Sequence, residues 1–188
     1  GAKLANHNLH VVVTGGDGDG YGIGMCHFIH AMRRNLNLTY IVMNNQIYGL
    51  TTGQASPTTM KEMRTLTTPR GNVELPINPM ALGISAGATY VARGFSGDPA
   101  QLTRLFAGGI AHRGFALIDV FSPCVTFNKV NTYPWFKERL YKLEDEAGYD
   151  PADVTAAIER SHEWGERIPV GLFYKDEQPI YEDSEPAF

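Results

Sequence analysis

The chain predicts an α/β fold, a parallel sheet with helices on both faces, from three patterns. Short apolar or β-branched runs, Leu9 to Thr14, Tyr40 to Met43, Thr89 to Ala92 and Phe115 to Phe121, alternate with amphipathic stretches. Three stretches share a helix-start signal, a capping Asn or Asp followed by proline, at Asn78-Pro79, Asp98-Pro99 and Asp150-Pro151. Polar or sulfur-bearing residues follow the strands: Gly16-Asp17-Gly18-Asp19-Gly20 after one, Asn44-Asn45 after the next, Ser122-Pro123-Cys124 after Phe115–Phe121. In a parallel sheet those features converge on the carboxyl edge, where ligands bind.

The first residues, Gly1 to Asn6, read as the end of a helix entering a turn, and without an initiator methionine they suggest a domain whose first part precedes them. Leu9 to Thr14 is expected to be a strand buried on both faces. The Gly15–Gly24 turn should open a helix reaching about Asn35, with Ile23, Phe28, Ala31 and Met32 inward and Cys26 a small core residue. His27 and His30, at i and i+3, have no apparent third metal ligand and are read as packing residues. After the Tyr40–Met43 strand an irregular Thr/Gly/Pro-rich stretch runs from about Gln46 to Thr59. The Asp98-Pro99 helix should reach about His112 and stop at Gly114. Val170 to Tyr174 reads as a last short strand.

At 188 residues the chain can build one substantial core, expected over residues 1–174. Residues 175–188, with Asp176, Glu177, Glu182, Asp183 and Glu185, read as an acidic, extended, solvated tail. A net charge of −4 without a basic stripe argues against nucleic acid, and no apolar run approaches the roughly 20 residues that span a membrane. Two cysteines give no disulfide framework and suit a reducing compartment, the cytoplasm.

The acidic glycine turn carries the chemistry. Asp17 offers a hard anionic oxygen suited to Mg²⁺, and its glycine neighbours let backbone N–H groups approach a phosphate. Asn45 would add a neutral carbonyl oxygen from the adjacent strand end. The glycine spacing fits no dinucleotide fingerprint, and the Gly-Lys-Ser/Thr of a nucleotide-hydrolase loop is absent. A calcium loop starting at Asp17 would need glutamate where Phe28 stands. A tight turn with solvated acids is the bland alternative.

The stretch GDGDGYGIGMCHFIHAMRRNLNLTYIVMNNQIYGLTTGQASPTT closely resembles the thiamine-diphosphate-binding β subunit of 2-oxoacid:ferredoxin oxidoreductases. The GDG…NN pair is common to thiamine diphosphate enzymes, whereas Ile47 to Gln54 with Ser56-Pro57-Thr58 is much more specific, and a looser likeness extends through Ile168–Tyr174. The resemblance implies a thiamine-diphosphate-binding fold with Mg²⁺ held by Asp17, Asn45 and the Ile47 carbonyl. Gly16, Gly18, Asp19 and Gly49 would line the cofactor, and Leu50 and Thr51 would lie near its thiazolium and the substrate. Thr52 would bear on substrate choice. Cys124 would be one ligand of a [4Fe–4S] cluster whose other three thiolates lie outside this chain.

The implied activity is coenzyme-A-dependent oxidative decarboxylation of a 2-oxo acid, 2-oxoglutarate or a broad range, with electrons passed to ferredoxin. The implied partner is an α subunit that supplies the activating glutamate. The rivals are a non-oxidative thiamine diphosphate enzyme, which has no need of Cys124, and a non-catalytic Mg-diphosphate-binding module.

Overall fold

In the computed structural model, residues 1–185 are described. They form a six-stranded sheet of β1 (Val12–Gly16), β2 (Leu38–Asn44), β3 (Tyr90–Phe95), β4 (Phe115–Phe121), β5 (Leu140–Lys142) and β6 (Ile168–Lys175). The spatial order is β1-β2-β4-β3-β6-β5. The first four neighbours are parallel, and β6 runs antiparallel to β3, so the expected parallel sheet is mostly but not wholly parallel. The helices are α1 (Ala2–Ala5), α2 (Met25–Arg33), α3 (Pro79–Ser85), α4 (Pro99–Ala111), α5 (Tyr133–Lys137) and α6 (Val154–Ser161).

Helices cover both faces of the sheet. On one, Phe28 and Met32 of α2, Met80 of α3 and Ala157 of α6 pack against Leu117 and Phe173. On the other, Leu105 of α4 packs with Ile41, Ile118 and Val120. β3 and β4 are buried along their whole length, which explains their near-continuous apolar runs. α3 and α4 start where the Asn/Asp-Pro pairs lie, with Asn78 Oδ1 accepting from the Ala81 N–H at 3.2 Å and Asp98 Oδ1 from the Gln101 N–H at 3.0 Å. The third pair is displaced: Asp150 closes a turn, and Asp153 caps α6 by accepting from Thr155 and Ala156.

Several expectations need correction. β1 is an edge strand among the described residues, so Val12 and Val13 are exposed instead of buried on both faces. Ile23 is 91% exposed, because five residues from Phe28 it falls off the inward face. Cys26 lies two residues from Phe28, on the opposite side of α2, and is exposed rather than a core thiol. His27 and His30 are likewise exposed and not packed.

Residues 176–185 are docked rather than solvated, the rest of the expected tail lying outside the described residues: Ile180 is buried, and the Glu182 carboxylate accepts from the Asn37 N–H at 3.0 Å. Asp183 pairs with Arg113. An apolar residue among the acids and waiting backbone donors overrode the charge pattern. No described helix is long and apolar enough to cross a membrane.

Candidate functional site

The turn after β1 is built by its own side chain. Asp19 Oδ2 accepts from the Gly16 N–H at 2.8 Å, and the chain then winds through a π-helical turn, Asp19–Ile23. The Gly24 N–H closes that turn on the Asp19 carbonyl at 2.7 Å, an approach so tight that a Cβ on Gly24 would lie 2.5 Å from the same oxygen. Gly18 lies under the Tyr48 ring, where an added Cβ would come within 2.1 Å of the ring. Glycine is required here by proximity.

Asp17 is 2% exposed and makes no ion pair among the described residues. Two hydroxyls, Ser56 Oγ and Thr58 Oγ1, each donate to its Oδ2 at 2.6 Å. Its Oδ1 has only a long contact, 3.4 Å, from the Asn45 N–H. Burial raises the Asp17 pKa, and the two hydroxyls oppose that rise. A buried carboxylate with one saturated oxygen, one open oxygen and no basic partner is suited to a cation.

Asn45 and Ile47 follow β2 in a turn that needs Gln46 in the left-handed region, at φ 60°. Asn45 Oδ1 accepts from the Ile47 N–H at 3.0 Å, which fixes the side chain and leaves the oxygen a second lone pair. The Ile47 carbonyl accepts no hydrogen bond among the described residues. Gln46 is tied down by Thr59, whose hydroxyl donates to the Gln46 carbonyl at 2.7 Å. These oxygens are of the hard type that Mg²⁺ prefers, and few are needed when phosphate completes the shell. No group of three or more His, Cys, Asp or Glu residues capable of holding a metal occurs among the described residues.

The loop from Tyr48 to Gln54 is closed by the Tyr48 N–H donating to the Gln54 carbonyl at 2.9 Å. Leu50 stands at its tip, 99% exposed, with Thr51 and Thr52 also exposed. Gly49 backs onto Cys124, whose Sγ would lie 3.5 Å from a Cβ placed there. Cys124 is half-buried, and its loop is anchored by Asn128, whose Nδ2 donates to the Asn45 carbonyl at 3.2 Å. Asp17, Asn45, Ile47, Gly49 and Cys124 thus meet at one sheet edge, as the strand ends suggested. A four-thiolate cluster does not fit this chain's own cysteines, since there are two, Cys26 and Cys124.

Sequence reasoning missed the second layer. Asp119 is fully buried in β4 and accepts from Tyr21 Oη at 2.9 Å and Asn44 Nδ2 at 3.0 Å. Arg93 lies opposite it in β3, Nε 3.6 Å from Asp119 Oδ2, its guanidinium 5.0 Å from the Phe121 ring centre. A single acid in FALIDVF and a single base in YVARGF, each alone in an apolar strand, was the available signal. Ser56 and Thr58 were visible as a motif, without a role.

Fold and site define a thiamine-diphosphate-binding domain, and residues 1–120 match the family described as thiamine pyrophosphate enzyme, C-terminal TPP binding domain. Residues 124–188 match the family described as the C terminal of the pyruvate ferredoxin oxidoreductase beta subunit. The chain belongs to the β subunits of 2-oxoacid:ferredoxin oxidoreductases. It is 44% identical over 208 aligned residues to the 2-oxoacid:ferredoxin oxidoreductase subunit beta of Saccharolobus solfataricus, covering 100% of this chain and 68% of that one. It is 45% identical to the 2-oxoglutarate synthase subunit KorB of Archaeoglobus fulgidus, covering 82% of this chain and 60% of that one.

Among solved structures, the 2-oxoglutarate:ferredoxin oxidoreductase of Magnetococcus marinus superposes with a TM-score of 0.93 at 42% identity. That match covers 97% of this chain and 62% of the other, which was solved with 2-oxoglutarate, coenzyme A and succinyl-CoA bound. The chain therefore spans roughly two thirds of the length of these relatives.

Proposed function

We propose that this chain anchors Mg-thiamine diphosphate for a coenzyme-A-dependent 2-oxoacid:ferredoxin oxidoreductase. The observation that carries the reading is Asp17, a buried carboxylate without a basic partner, with both hydroxyl donors on one oxygen. Asp17 Oδ1, the Asn45 side-chain oxygen and the Ile47 carbonyl are the Mg²⁺ ligands in this reading. Gly18 and Asp19 present backbone N–H groups to the diphosphate, while Gly16 and Gly49 leave it room. Leu50 and Thr51 flank the reactive end and the 2-oxo acid, and Thr52 bears on substrate choice.

Bound thiamine diphosphate supplies the electron sink for decarboxylation. Cys124, beside Gly49, is proposed as one ligand of a [4Fe–4S] cluster, with the remaining thiolates from outside these 188 residues. The proposed partners are an α subunit, which brings the activating glutamate, and ferredoxin as electron acceptor. No glutamate hydrogen-bonds to the turn residues among the described residues, which fits that division. The relatives' names support 2-oxoglutarate or a broad range of 2-oxo acids, and two free cysteines suit the cytoplasm.

The test uses the full-length subunit assembled with its partner. Wild type should reduce a viologen dye only with 2-oxo acid and coenzyme A present, and an iron-loaded complex that fails to do so overturns the oxidoreductase reading. Asp17→Ala should weaken Mg²⁺-dependent thiamine diphosphate binding at least a hundredfold by calorimetry. Retained binding refutes the metal assignment.

A further inference from the structure

We propose that Asp119, buried in the middle of β4 and outside the cofactor-facing surface, is a positioning residue for the Mg²⁺ loop. The inference rests on the Mg-diphosphate reading above. Asp119 is 0% exposed, and burial raises its pKa against the opposing charge of Arg93. A carboxylate in the centre of an apolar sheet is unfavourable unless its lone pairs are used. Here they are used asymmetrically. Oδ1 accepts from Tyr21 Oη at 2.9 Å and from Asn44 Nδ2 at 3.0 Å, and Oδ2 receives a longer second contact from Asn44 Nδ2 at 3.3 Å.

The contact with Asn44 is the one that reaches the site. An asparagine amide can be turned either way, and its neighbours decide which end is oxygen. Asp119, an acceptor, forces the NH₂ end of Asn44 toward itself. Asn44 Oδ1 is thereby aimed at the Gln46 N–H, from which it accepts at 3.3 Å. That bond braces Gln46, the residue at φ 60°, through which the chain turns to present Asn45 and the Ile47 carbonyl. Asn44 Oδ1 also lies 3.0 Å from Thr58 Oγ1, whose single proton goes to the closer and charged Asp17 at 2.6 Å. One buried carboxylate therefore orients the side chain that stands between both halves of the cation site.

Arg93 completes the device from the far side. It is 3% exposed, stacked between the Phe121 and Phe173 rings, and its Nε and Nη1 make no hydrogen bond among the described residues. Held at 3.6 Å, it balances the Asp119 charge without drawing the carboxylate away from Asn44.

The test is a metal titration on the full-length subunit assembled with its partner at saturating thiamine diphosphate, with Mn²⁺ replacing Mg²⁺ so that its EPR signal reports the bound fraction. Asp119→Leu combined with Arg93→Met removes the acceptor together with its countercharge, leaves the Asn44 amide free to turn, and should weaken metal affinity at least tenfold. Tyr21→Phe removes the other donor to Asp119 without touching Asn44. It should lower Tm while leaving metal affinity within about twofold.

Asp119→Asn keeps an acceptor oxygen in the place of Oδ1, where both Tyr21 Oη and Asn44 Nδ2 donate, and should hold affinity to within about threefold of wild type. Should the double variant not fold, Asn44→Leu, which removes the oxygen that braces Gln46, decides: a loss of affinity of at least tenfold supports the inference, and wild-type affinity overturns it. It is also overturned if the folded double variant binds metal as wild type does, or if Tyr21→Phe loses affinity in proportion to its loss of Tm. Wild type failing to bind metal would overturn the underlying Mg-diphosphate reading, a separate result.

Discussion

Asp17 shows what a short motif conveys and what it omits. Its place between glycines after a strand announced a hard anionic ligand, and the structure puts it beside Asn45. The letters could not say which oxygen would face a cation, because that depends on Ser56 and Thr58, some 40 residues away. Those hydroxyls occupy Oδ2 and leave Oδ1 open. Hydrogen bonds to a charged group are worth about 1.5–3 kcal/mol of stability, so losing one should cost the fold as well as the ligand. Thr58→Val, close in shape, should weaken Mg²⁺ affinity about three- to tenfold in calorimetry and lower Tm by roughly 3–12 °C. An unchanged affinity would mean that Ser56 alone holds the carboxylate.

Elements were legible where pattern and burial agreed. β4 coincides with its expected run, Phe115–Phe121, because every residue in it is buried and all but Asp119 are apolar. β1 comes from a run still richer in β-branched residues yet lies at an edge among the described residues, a difference of neighbours that composition does not record. Helix α4 ends close to where Gly114 required, and its cap, His112, is buried with Nε2 2.8 Å from Thr89 Oγ1.

Burial first, and Lys175 second, lower the His112 pKa, with Glu177 and Asp176 opposing. A histidine lowered in the folded state is protonated more readily when unfolded. Its contribution to stability is therefore full above the ordinary value of about 6.5 and is lost as pH falls below it. Thermal unfolding should show Tm falling between pH 7.5 and 5.5 in wild type and falling less in His112→Gln. Parallel slopes in the two proteins would assign that pH dependence to other groups.

Across the whole molecule, ends of several elements are tied at one residue that no motif singled out. Asn35, in the left-handed region at φ 47° after α2, accepts from Thr89 Oγ1 and from the Phe115 N–H, both at 2.8 Å. Its Nδ2 donates to the Pro179 carbonyl at 3.1 Å, so the start of β3, the start of β4 and the acidic tail converge there. Charge alone read that tail as solvated, since composition cannot show that Ile180 has a hydrophobic seat or that the Asn37 N–H awaits Glu182.

The two views differ measurably. Burial of an isoleucine is worth about 1.5–3 kcal/mol, and the Glu182 and Asp176 backbone contacts add to it. Ending the chain after Lys175 should then destabilise it by about 3 kcal/mol. For a domain of this size that corresponds to a Tm lower by roughly 6–12 °C. Ile180→Ala in the otherwise intact chain should reproduce about half of the loss. A truncated protein that melts within a degree of the intact one would restore the solvated arm and leave Asn35 holding only β3 and β4.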